Sequence, residues 1–288
     1  MKRNLLLFTI VFCSFTLFAQ TGKVLESLEF TSKLVSSPVK YSIYLPPGYE
    51  TSERSYPVVY LLHGYSDDET GWVQFGELDR IADRGIANGD ISSSIIVMPN
   101  GKVTWYCNSY DGSDPWEDMF IDEFIPFIEK EYRVRSKKEF RAIAGLSMGG
   151  FGALMLAMHH TDIFSTSVAL SAGVIPDEVI ANSTKFDHYF GNIFYDTKPE
   201  NGVSEHWKAN NPLDLLESVD IDKLKSVRYY IDCGDDDFLG LGNAELHKKM
   251  LTMGIKHEYR VRDGSHSWGY WRTGLPAGLK FISEKFHR

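Results

Sequence analysis

The sequence predicts an α/β fold with a mostly parallel central sheet and helices on both faces, and three observations support this. Short, continuous apolar runs such as 58–62 (VVYLL) and 95–98 (IIVM) are typical of strands buried on both faces of a parallel sheet. Predicted strands alternate with predicted helices through most of the chain, as in α/β proteins. The earlier segment 39–45 instead alternates apolar and polar residues, so we expect the sheet to begin with antiparallel strands.

The predicted elements follow one another along the chain. Strands are expected at 23–30, 39–45, 58–62, 95–98, 140–144, 166–170, 227–232 and 257–261. Helices are expected at 78–87, 114–132, 148–159, 243–253 and 275–286. In the second helix, Asp114 is the expected N-cap, Pro115 occupies the first helical position, and Pro126 is expected to bend the axis.

The segment 174–226 interrupts this order, because it contains no clear strand and is rich in aromatic residues. Segments of this length without regular structure are uncommon in compact domains and are usually functional. We therefore expect a lid-like insertion or binding wall, or else a helical insertion. Linkers, repeats and low-complexity tracts are absent from the sequence, so residues 21–288 are predicted to form one domain that includes this insertion.

Residues 1–20 (MKRNLLLFTIVFCSFTLFAQ) have the layout of a secretory signal peptide. Two basic residues precede an apolar run that ends at Phe18, and Ala19 is a small residue at which a peptidase can cut. The run is shorter than the ~20 apolar residues of a membrane-spanning helix, so an uncleaved anchor is the less favoured alternative. Cys13 does not indicate a lipoprotein, because a bulky residue precedes it and the apolar run continues beyond it. The sequence therefore predicts a secreted or periplasmic protein.

The composition excludes some classes of partner. The 288 residues carry 30 Lys and Arg against 39 Asp and Glu, a formal net charge of -9 at pH 7. This acidic balance, without basic clusters, argues against nucleic acid and anionic membrane surfaces as partners. Two cysteines lie beyond the leader, Cys107 and Cys233, and the sequence leaves open whether they pair or are two buried thiols. Dense Cys/His spacings such as HExxH, which would indicate a metal site, do not occur.

The stretch 141–154 (RAIAGLSMGGFGAL) places one serine among four glycines. Gly145, Ser147 and Gly149 form a GxSxG pattern between a predicted strand and a predicted helix, which is the context of a nucleophile elbow. A turn this tight strains the serine backbone and leaves room for little more than glycine on either side. The pattern also arises by chance around an incidental serine, but the strand, the helix and the glycines together favour a nucleophilic Ser147.

Two backbone amides are candidates for an oxyanion hole. The helix after Ser147 directs its free N–H groups and positive dipole end toward a bound substrate, so the Met148 N–H is the first candidate. The second is expected in the loop after the strand 58–62, where Gly64 allows close approach and the Tyr65 N–H would face the serine. His63, at the end of that strand, is interpreted as structural.

A nucleophilic serine needs a base, and the base needs an acid that orients it. After a nucleophile elbow, the acid and then the histidine follow the serine, on loops after later strands. Of the four histidines that follow the strand 227–232, only His266 comes directly after the last strand, so it is the candidate base. Three carboxylates, Asp235, Asp236 and Asp237, are candidates for the acid, and their residue pattern alone does not choose among them.

Five motifs carry a resemblance to a known family: YLLHGYSDDETGW (60–72), IIVMPNG (95–101), AGLSMGGFGAL (144–154), IDCGDDDFLGLGNAELHKKM (231–250) and GSHSWGYWR (264–272). Together they resemble the esterase D group of the α/β-hydrolases. This group includes feruloyl and acetyl xylan esterases of carbohydrate esterase family 1, S-formylglutathione hydrolases, enterochelin esterases and mycolyltransferases. The resemblance covers nearly all of the chain after residue 20 and is specific for the family, not for one substrate.

The resemblance implies roles for individual residues. In the family the acid is the third residue after the glycine of the Cys-Gly element, which is Asp237 here. The resemblance likewise implies His266 as the base and the N–H groups of Met148 and Tyr65 as oxyanion donors. With these residues, the expected reaction is acyl transfer through an acyl-enzyme on Ser147, without a cofactor or a metal.

The resemblance defines the substrate less directly than it defines the catalytic residues. Predicted export disfavours a formylglutathione hydrolase, whose substrate is cytosolic, and favours feruloyl or acetyl groups on plant polysaccharide such as xylan. Trp207 and Trp268 are the candidate stacking faces for a sugar or a phenolic acid, although tryptophan also fills protein cores. Alternatives on the same residues are a siderophore esterase, an S-formylglutathione hydrolase-like esterase or an acyltransferase. A non-catalytic carbohydrate-binding protein is the alternative of another class.

Overall fold

The computed structural model describes residues 21–182, 187–191, 193–195 and 202–286. Residues 1–20, on which the signal-peptide prediction rests, lie outside this part of the chain. Eight strands form one sheet: β1 (Lys23–Phe30), β2 (Val39–Leu45), β3 (Val58–Leu62), β4 (Ile95–Pro99), β5 (Arg141–Leu146), β6 (Thr166–Leu170), β7 (Arg228–Gly234) and β8 (His257–Arg262). Their spatial order is β1-β2-β4-β3-β5-β6-β7-β8.

The sheet begins antiparallel and continues parallel. β1 pairs with β2, and β2 with β4, in antiparallel register, whereas every pairing from β4 to β8 is parallel. This confirms the predicted α/β fold with antiparallel first strands. The bounds of β1, β2, β3 and β6 are those predicted, and the other strands differ from prediction by one or two residues at an end.

Helices cover both faces of the sheet: α1 (Gly71–Gln74), α2 (Leu78–Ala87), α3 (Trp116–Asp118), α4 (Ile125–Glu131), α5 (Met148–His159), α6 (Asp177–Ala181), α7 (Asp187–Phe190), α8 (Glu205–Asn210), α9 (Pro212–Ser218), α10 (Ile221–Lys225), α11 (Gly240–Thr252) and α12 (Trp268–Phe286). Successive residues of β3 belong to two hydrophobic cores on opposite faces of the sheet. Val58 belongs to the core that includes α5, and Val59 belongs to the core that includes α2 and α12. Continuous apolar strands therefore result from a sheet buried on both faces. No helix among the described residues is both long and apolar enough to cross a bilayer.

The helix after Pro115 differs from its prediction. Asp114 is not the N-cap, because the helix begins at Trp116 with Pro115 in the cap position and without a side-chain cap bond. A π-helical turn, Met119–Phe124, then joins α3 to α4. Pro126 explains the wider turn, since proline has no N–H to donate and its ring clashes with the carbonyl four residues earlier in a regular α-helix.

Two later helices begin earlier than predicted. α11 starts at Gly240 and α12 starts at Trp268 rather than Leu275, with Pro276 inside the helix. The first turn of α12 buries Tyr270 and Trp271 against the sheet. Tertiary packing therefore sets the start of α12, where the local glycines and proline did not indicate a helix.

The described part of the segment 174–226 forms five short helices, α6 to α10, and contains no strand. It is therefore a helical insertion, which was one of the predicted alternatives. Phe190, Phe194 and Trp207 pack together against Phe151 of α5, with Trp207 fully buried. The insertion is thus joined to the main core.

The two cysteines of the described chain are separate buried thiols. Burial raises the pKa of the Cys233 thiol to about 12 and raises that of Cys107 well above its ordinary value. Since the thiolate is the nucleophilic form, neither cysteine is a candidate for the chemistry of this protein.

A buried carboxylate joins the last two strands to α12. The Asp232 side chain is fully buried in β7, and both of its oxygens accept hydrogen bonds from the Arg262 guanidinium at 3.0–3.2 Å. Tyr230 donates to the same carboxylate at 3.1 Å, and the hydroxyl of Tyr270 on α12 donates as well. These contacts fix the ends of β7 and β8, from which the loops 235–239 and 263–267 emerge.

We predict that Asp232→Ala lowers the free energy of unfolding by roughly 3 kcal/mol, because it leaves Arg262 and Tyr270 without their buried partner. The value lies at the low end for such pairs since the Arg262 side chain is 32% exposed. Urea unfolding followed by tryptophan fluorescence measures the loss. Asp236→Ala, an exposed carboxylate in the next loop, is the matched control. Equal stability losses in the two variants would contradict the assigned role of Asp232.

Candidate active site

Ser147 lies at the turn between β5 and α5, with φ 54° and ψ -117°. This conformation is strained for a residue with a side chain, and it persists only where the surroundings hold it. The Ser147 N–H donates to the Leu170 carbonyl at 2.9 Å, and the Ser147 carbonyl accepts from the N–H groups of Gly173 and Phe151 at 2.8 and 3.0 Å. The end of β6 and the first turn of α5 therefore fix the turn on both sides.

Glycine is required on both sides of Ser147 by close packing. A Cβ at Gly145 would lie 2.2 Å from the Gly149 carbonyl oxygen. A Cβ at Gly149 would lie 2.5 Å from the Leu62 carbonyl oxygen and 2.6 Å from that of His63. The GxSxG pattern thus allows α5 to start directly against the end of β3, which raises the serine to the carboxyl edge of the sheet.

The structure brings Ser147, His266 and Asp237 into one hydrogen-bonded chain. His266 Nε2 lies 2.9 Å from Ser147 Oγ, and its Nδ1 lies 2.9 and 3.1 Å from the two carboxylate oxygens of Asp237. The Asp237 side chain is fully buried, whereas that of His266 is 20% exposed. A serine paired with an imidazole that a buried carboxylate orients is an arrangement that activates the hydroxyl for attack on a carbonyl.

The three adjacent carboxylates have different environments. Asp235 and Asp236 are exposed, and the Asp235 carboxylate accepts the Gly264 N–H at 3.0 Å. Only Asp237 points inward, where the Leu239 N–H also donates to it at 2.9 Å. Burial raises the pKa of Asp237, but hydrogen bonds from His266, Leu239 and Ser171 outweigh it, so the pKa lies below its ordinary value. Asp237 is therefore ionised at neutral pH.

Two residues that sequence reasoning missed support this carboxylate. Ser171, just after β6, is fully buried with φ 46°, and its hydroxyl contributes to the low pKa of Asp237. The indole Nε1 of Trp271 donates to Ser171 Oγ at 3.0 Å, and the Trp271 ring also meets the His266 ring edge-on at 4.8 Å. No local motif marks Ser171, because its role depends on contacts with α12, 100 residues away.

The loop after β3 runs beside Ser147. A Cβ at Gly64 would lie 3.6 Å from Ser147 Cβ, so the backbone that leads into Tyr65 borders the serine. In the described part of the chain, neither the Tyr65 N–H nor the Met148 N–H meets a protein acceptor. Both amides are therefore free to donate to a substrate oxygen.

His63 holds this loop from beneath. It is buried, its Nδ1–H donates to the Gly64 carbonyl at 2.7 Å, and its Nε2 accepts the Gly101 N–H at 2.9 Å. These partners require the neutral ring. Trp72 Nε1 donates to the Leu62 carbonyl and the Tyr106 hydroxyl to the His63 carbonyl, each at 2.9 Å. His63 is thus a structural residue, as its position in the sequence indicated.

A cleft of about 810 Å³ opens above Ser147. Seven of its lining residues are aromatic, and Asp67, Ser66 and Ser267 are among its polar groups. The aromatic lining residues are Tyr65, Trp105, Tyr189, Phe190, Phe238, Trp268 and Trp271. The cleft therefore offers an apolar ligand group several ring faces, with a few polar contacts near the serine.

The structure separates the two tryptophans proposed to contact substrate. Trp268 lines the cleft and follows His266 by two residues in sequence. Trp207 does not reach it: the ring is fully buried among phenylalanines, and its Nε1 donates to Asp177 at 2.8 Å. The prediction for Trp207 is therefore corrected, because this side chain fills the core between the insertion and α5.

Comparison with known proteins agrees with this architecture. The Esterase family model matches residues 32–282. A solved ferulic acid esterase superposes with a TM-score of 0.79 at 34% identity, covering 93% of this chain and all of that one. An acetyl esterase of Caldicellulosiruptor saccharolyticus is 23% identical over 241 residues, which cover 82% of this chain and 86% of that protein.

A longer relative is an esterase of Mycobacterium tuberculosis, 28% identical over 249 residues that make up 78% of this chain. The chain spans about half of that protein, since the match covers 52% of its length. The similarity therefore concerns one part of the mycobacterial protein.

We predict that His63 makes the fold acid-sensitive. Burial lowers the pKa of His63 below its ordinary value near 6.5, although its hydrogen bond to Gly64 acts in the opposite direction. The unfolded chain then binds more protons than the folded chain at pH values just below about 6.5, so stability falls as the pH drops through this range. The physical reason is that a proton on Nε2 faces the Gly101 N–H.

Urea unfolding at pH 7.5 and 5.5 measures this loss. In His63→Gln the overall stability is lower, but the part of the pH dependence that comes from His63 is missing. An unchanged pH dependence in the variant would contradict the prediction. His206→Gln is the matched control, since the Nε2 of His206 contacts the Asn108 carbonyl rather than this loop.

Proposed function

Since this chain belongs to the Esterase family, we propose that it is an exported serine carboxylesterase that removes feruloyl or acetyl groups from plant polysaccharide such as xylan. The observation that carries the proposal is the Ser147–His266–Asp237 hydrogen-bonded chain at the floor of an aromatic cleft. The family, the ferulic acid esterase at 34% identity and the acetyl esterase support the reaction class.

The first step of the proposed reaction acylates the enzyme. Ser147 Oγ attacks the ester carbonyl carbon while His266 Nε2 takes the hydroxyl proton, and the carbonyl oxygen becomes an oxyanion. The N–H groups of Met148 and Tyr65 stabilise that negative charge. The bond to the alcohol then breaks, the alcohol leaves with the proton from His266, and the acyl group remains on Ser147 as an ester.

The second step frees the acid. Water gives a proton to His266 and attacks the acyl carbonyl, and the second oxyanion collapses to release the carboxylic acid and return the proton to Ser147. Asp237 stays ionised throughout, which its lowered pKa supports, and stabilises the imidazolium that forms in each step. All of these groups come from the chain itself.

The shape of the cleft favours an aromatic acyl group. Tyr65, Trp105 and Trp268 line the space above Ser147, and flat phenolic groups pack well against such rings. Asp67 lies on the same wall and offers an acceptor for a phenol or sugar hydroxyl. A feruloyl ester uses all of these contacts, whereas an acetyl group uses only the space next to the serine.

The location of the protein is part of the proposal. Residues 1–20 have the composition of a signal peptide, and an exported enzyme meets polysaccharide outside the cell. Residues 21–288 are proposed to act as one domain, in which the segment 174–226 contributes Ile175, Tyr189 and Phe190 to the cleft wall.

Hydrolysis of methyl ferulate and of 4-nitrophenyl acetate by the purified protein tests the proposal. We expect turnover of both esters, with methyl ferulate preferred by kcat/KM because of the aromatic cleft. Ser147→Ala should lower kcat on the order of a million-fold, because a triad without its nucleophile retains little activity. Ser218→Ala is the matched control, because Ser218 is exposed and is not among the residues that line the cleft.

The two assays distinguish the feruloyl form of the proposal from the acetyl form. Ser147-dependent turnover of methyl ferulate supports the feruloyl form of the proposal, and turnover of the acetate alone supports the acetyl form. Failure to cleave either ester, in folded protein, would overturn the esterase proposal and favour a binding protein.

A further inference from the structure

We propose that Glu117, His159 and His160 form a binding site for a divalent transition metal ion such as Zn²⁺, outside the active-site cleft. Their ligand atoms all lie within 4.8 Å of one another, at the edge of a second cavity of about 980 Å³. The residues that line this cavity are different from those that line the cleft above Ser147.

The three side chains already converge on one point. Glu117 Oε1 lies 2.8 Å from His159 Nδ1 and 2.8 Å from His160 Nε2. Two imidazoles and a carboxylate are a common zinc ligand set, in which water or another ligand takes the fourth position. The side chains of His159 and His160 are 23% and 26% exposed toward the cavity, so an ion can enter from solvent.

Both ring nitrogens of His159 face hydrogen-bond acceptors, which favours a positive charge between His159 and Glu117. Its Nε2 lies 2.9 Å from the Ala209 carbonyl oxygen, which only accepts, so this nitrogen carries a proton. In the neutral ring, Nδ1 then presents a lone pair to the Glu117 carboxylate, which is another acceptor. Either a second proton or a metal ion between the two groups removes this conflict.

The contact between His159 Nε2 and the Ala209 carbonyl is the kind that accompanies a bound metal. Histidines that bind metals usually donate their second ring N–H to a backbone carbonyl or a carboxylate, which orients the ring. The Ala209 carbonyl supplies that partner for His159. His159 is also the last residue of α5, and the negative end of a helix dipole favours a cation.

Side-chain adjustments would admit the ion. Tetrahedral zinc with bonds of about 2.0–2.1 Å separates its ligand atoms by about 3.3 Å, so each of the two 2.8 Å contacts must open by ~0.5 Å. His159 Nδ1 and His160 Nε2, which lie within 4.8 Å of one another, must settle at the same separation. Bound metal would join the end of α5 to α3 through Glu117 and, through Ala209, to α8 of the insertion. It would therefore stabilise the attachment of the insertion to the core, away from Ser147.

Sequence spacing did not predict this group, because Glu117 is 42 residues from His159. The adjacent pair His159-His160 lacks the separation that places two histidines on one helix face. His160 follows the last helical residue, and the change of backbone direction there brings both rings to Glu117.

Zinc titration of the chelator-treated protein by calorimetry tests the proposal, with Co²⁺ absorption as a report on ligand geometry. We expect one Zn²⁺ per chain, tetrahedral Co²⁺ bands and a higher melting temperature with metal. Glu117→Gln and His160→Gln should each weaken binding more than the roughly 10–100-fold that loss of a residue hydrogen-bonded to a metal ligand costs. His206→Gln is the matched control, since His206 lines the same cavity but contacts the Asn108 carbonyl.

Each outcome decides the matter. Saturable binding that is lost in Glu117→Gln or His160→Gln and kept in His206→Gln supports the site. Failure of the wild-type protein to bind Zn²⁺ would overturn it and leave a second proton as the charge on His159. Equal binding by wild type and a folded His160→Gln variant, with circular dichroism as the check on folding, would also overturn it.

Discussion

The strained turn at Ser147 is the constraint on which the rest of the site depends. A φ of 54° at a non-glycine residue costs on the order of 1–3 kcal/mol and must be held by its surroundings. The Leu170 carbonyl at the end of β6 accepts the Ser147 N–H, and α5 begins directly against the carbonyls that end β3. These contacts hold the Ser147 backbone in its strained conformation. Three parallel strands therefore meet at the serine, which explains why β3, β5 and β6 lie side by side in the middle of the sheet.

The remaining groups reach the serine because parallel strands end at the same edge. Tyr65 follows β3, Asp237 follows β7 and His266 follows β8, so residues 119 positions apart in the chain come within 2.9 Å. The last two loops are distant from β5 in the sheet, and their positions depend on the buried Asp232–Arg262 pair and on α12. Ser171 and Trp271 link the same helix to Asp237.

The sequence was most informative where a pattern is local. Apolar runs, the GxSxG turn and a histidine directly after the last strand all predicted positions that the structure reproduces, because each depends on neighbours in the chain. Asp237 could not be chosen from the residues alone, since its neighbours are also aspartates and only the fold turns one of them inward. Trp207 was assigned to substrate although it lies in the core, and the contacts of Ser171 and Glu117 were missed, because all three depend on elements far apart in sequence.

The central claim is that Ser147 is a nucleophile activated by His266 and Asp237. Labelling of the purified protein with a fluorophosphonate, read by intact mass and peptide mapping, tests it most directly. The account predicts one adduct per chain on Ser147, no adduct in Ser147→Ala, and much slower labelling in His266→Ala. An unlabelled folded wild-type protein, or an adduct on another residue that persists in Ser147→Ala, would contradict it.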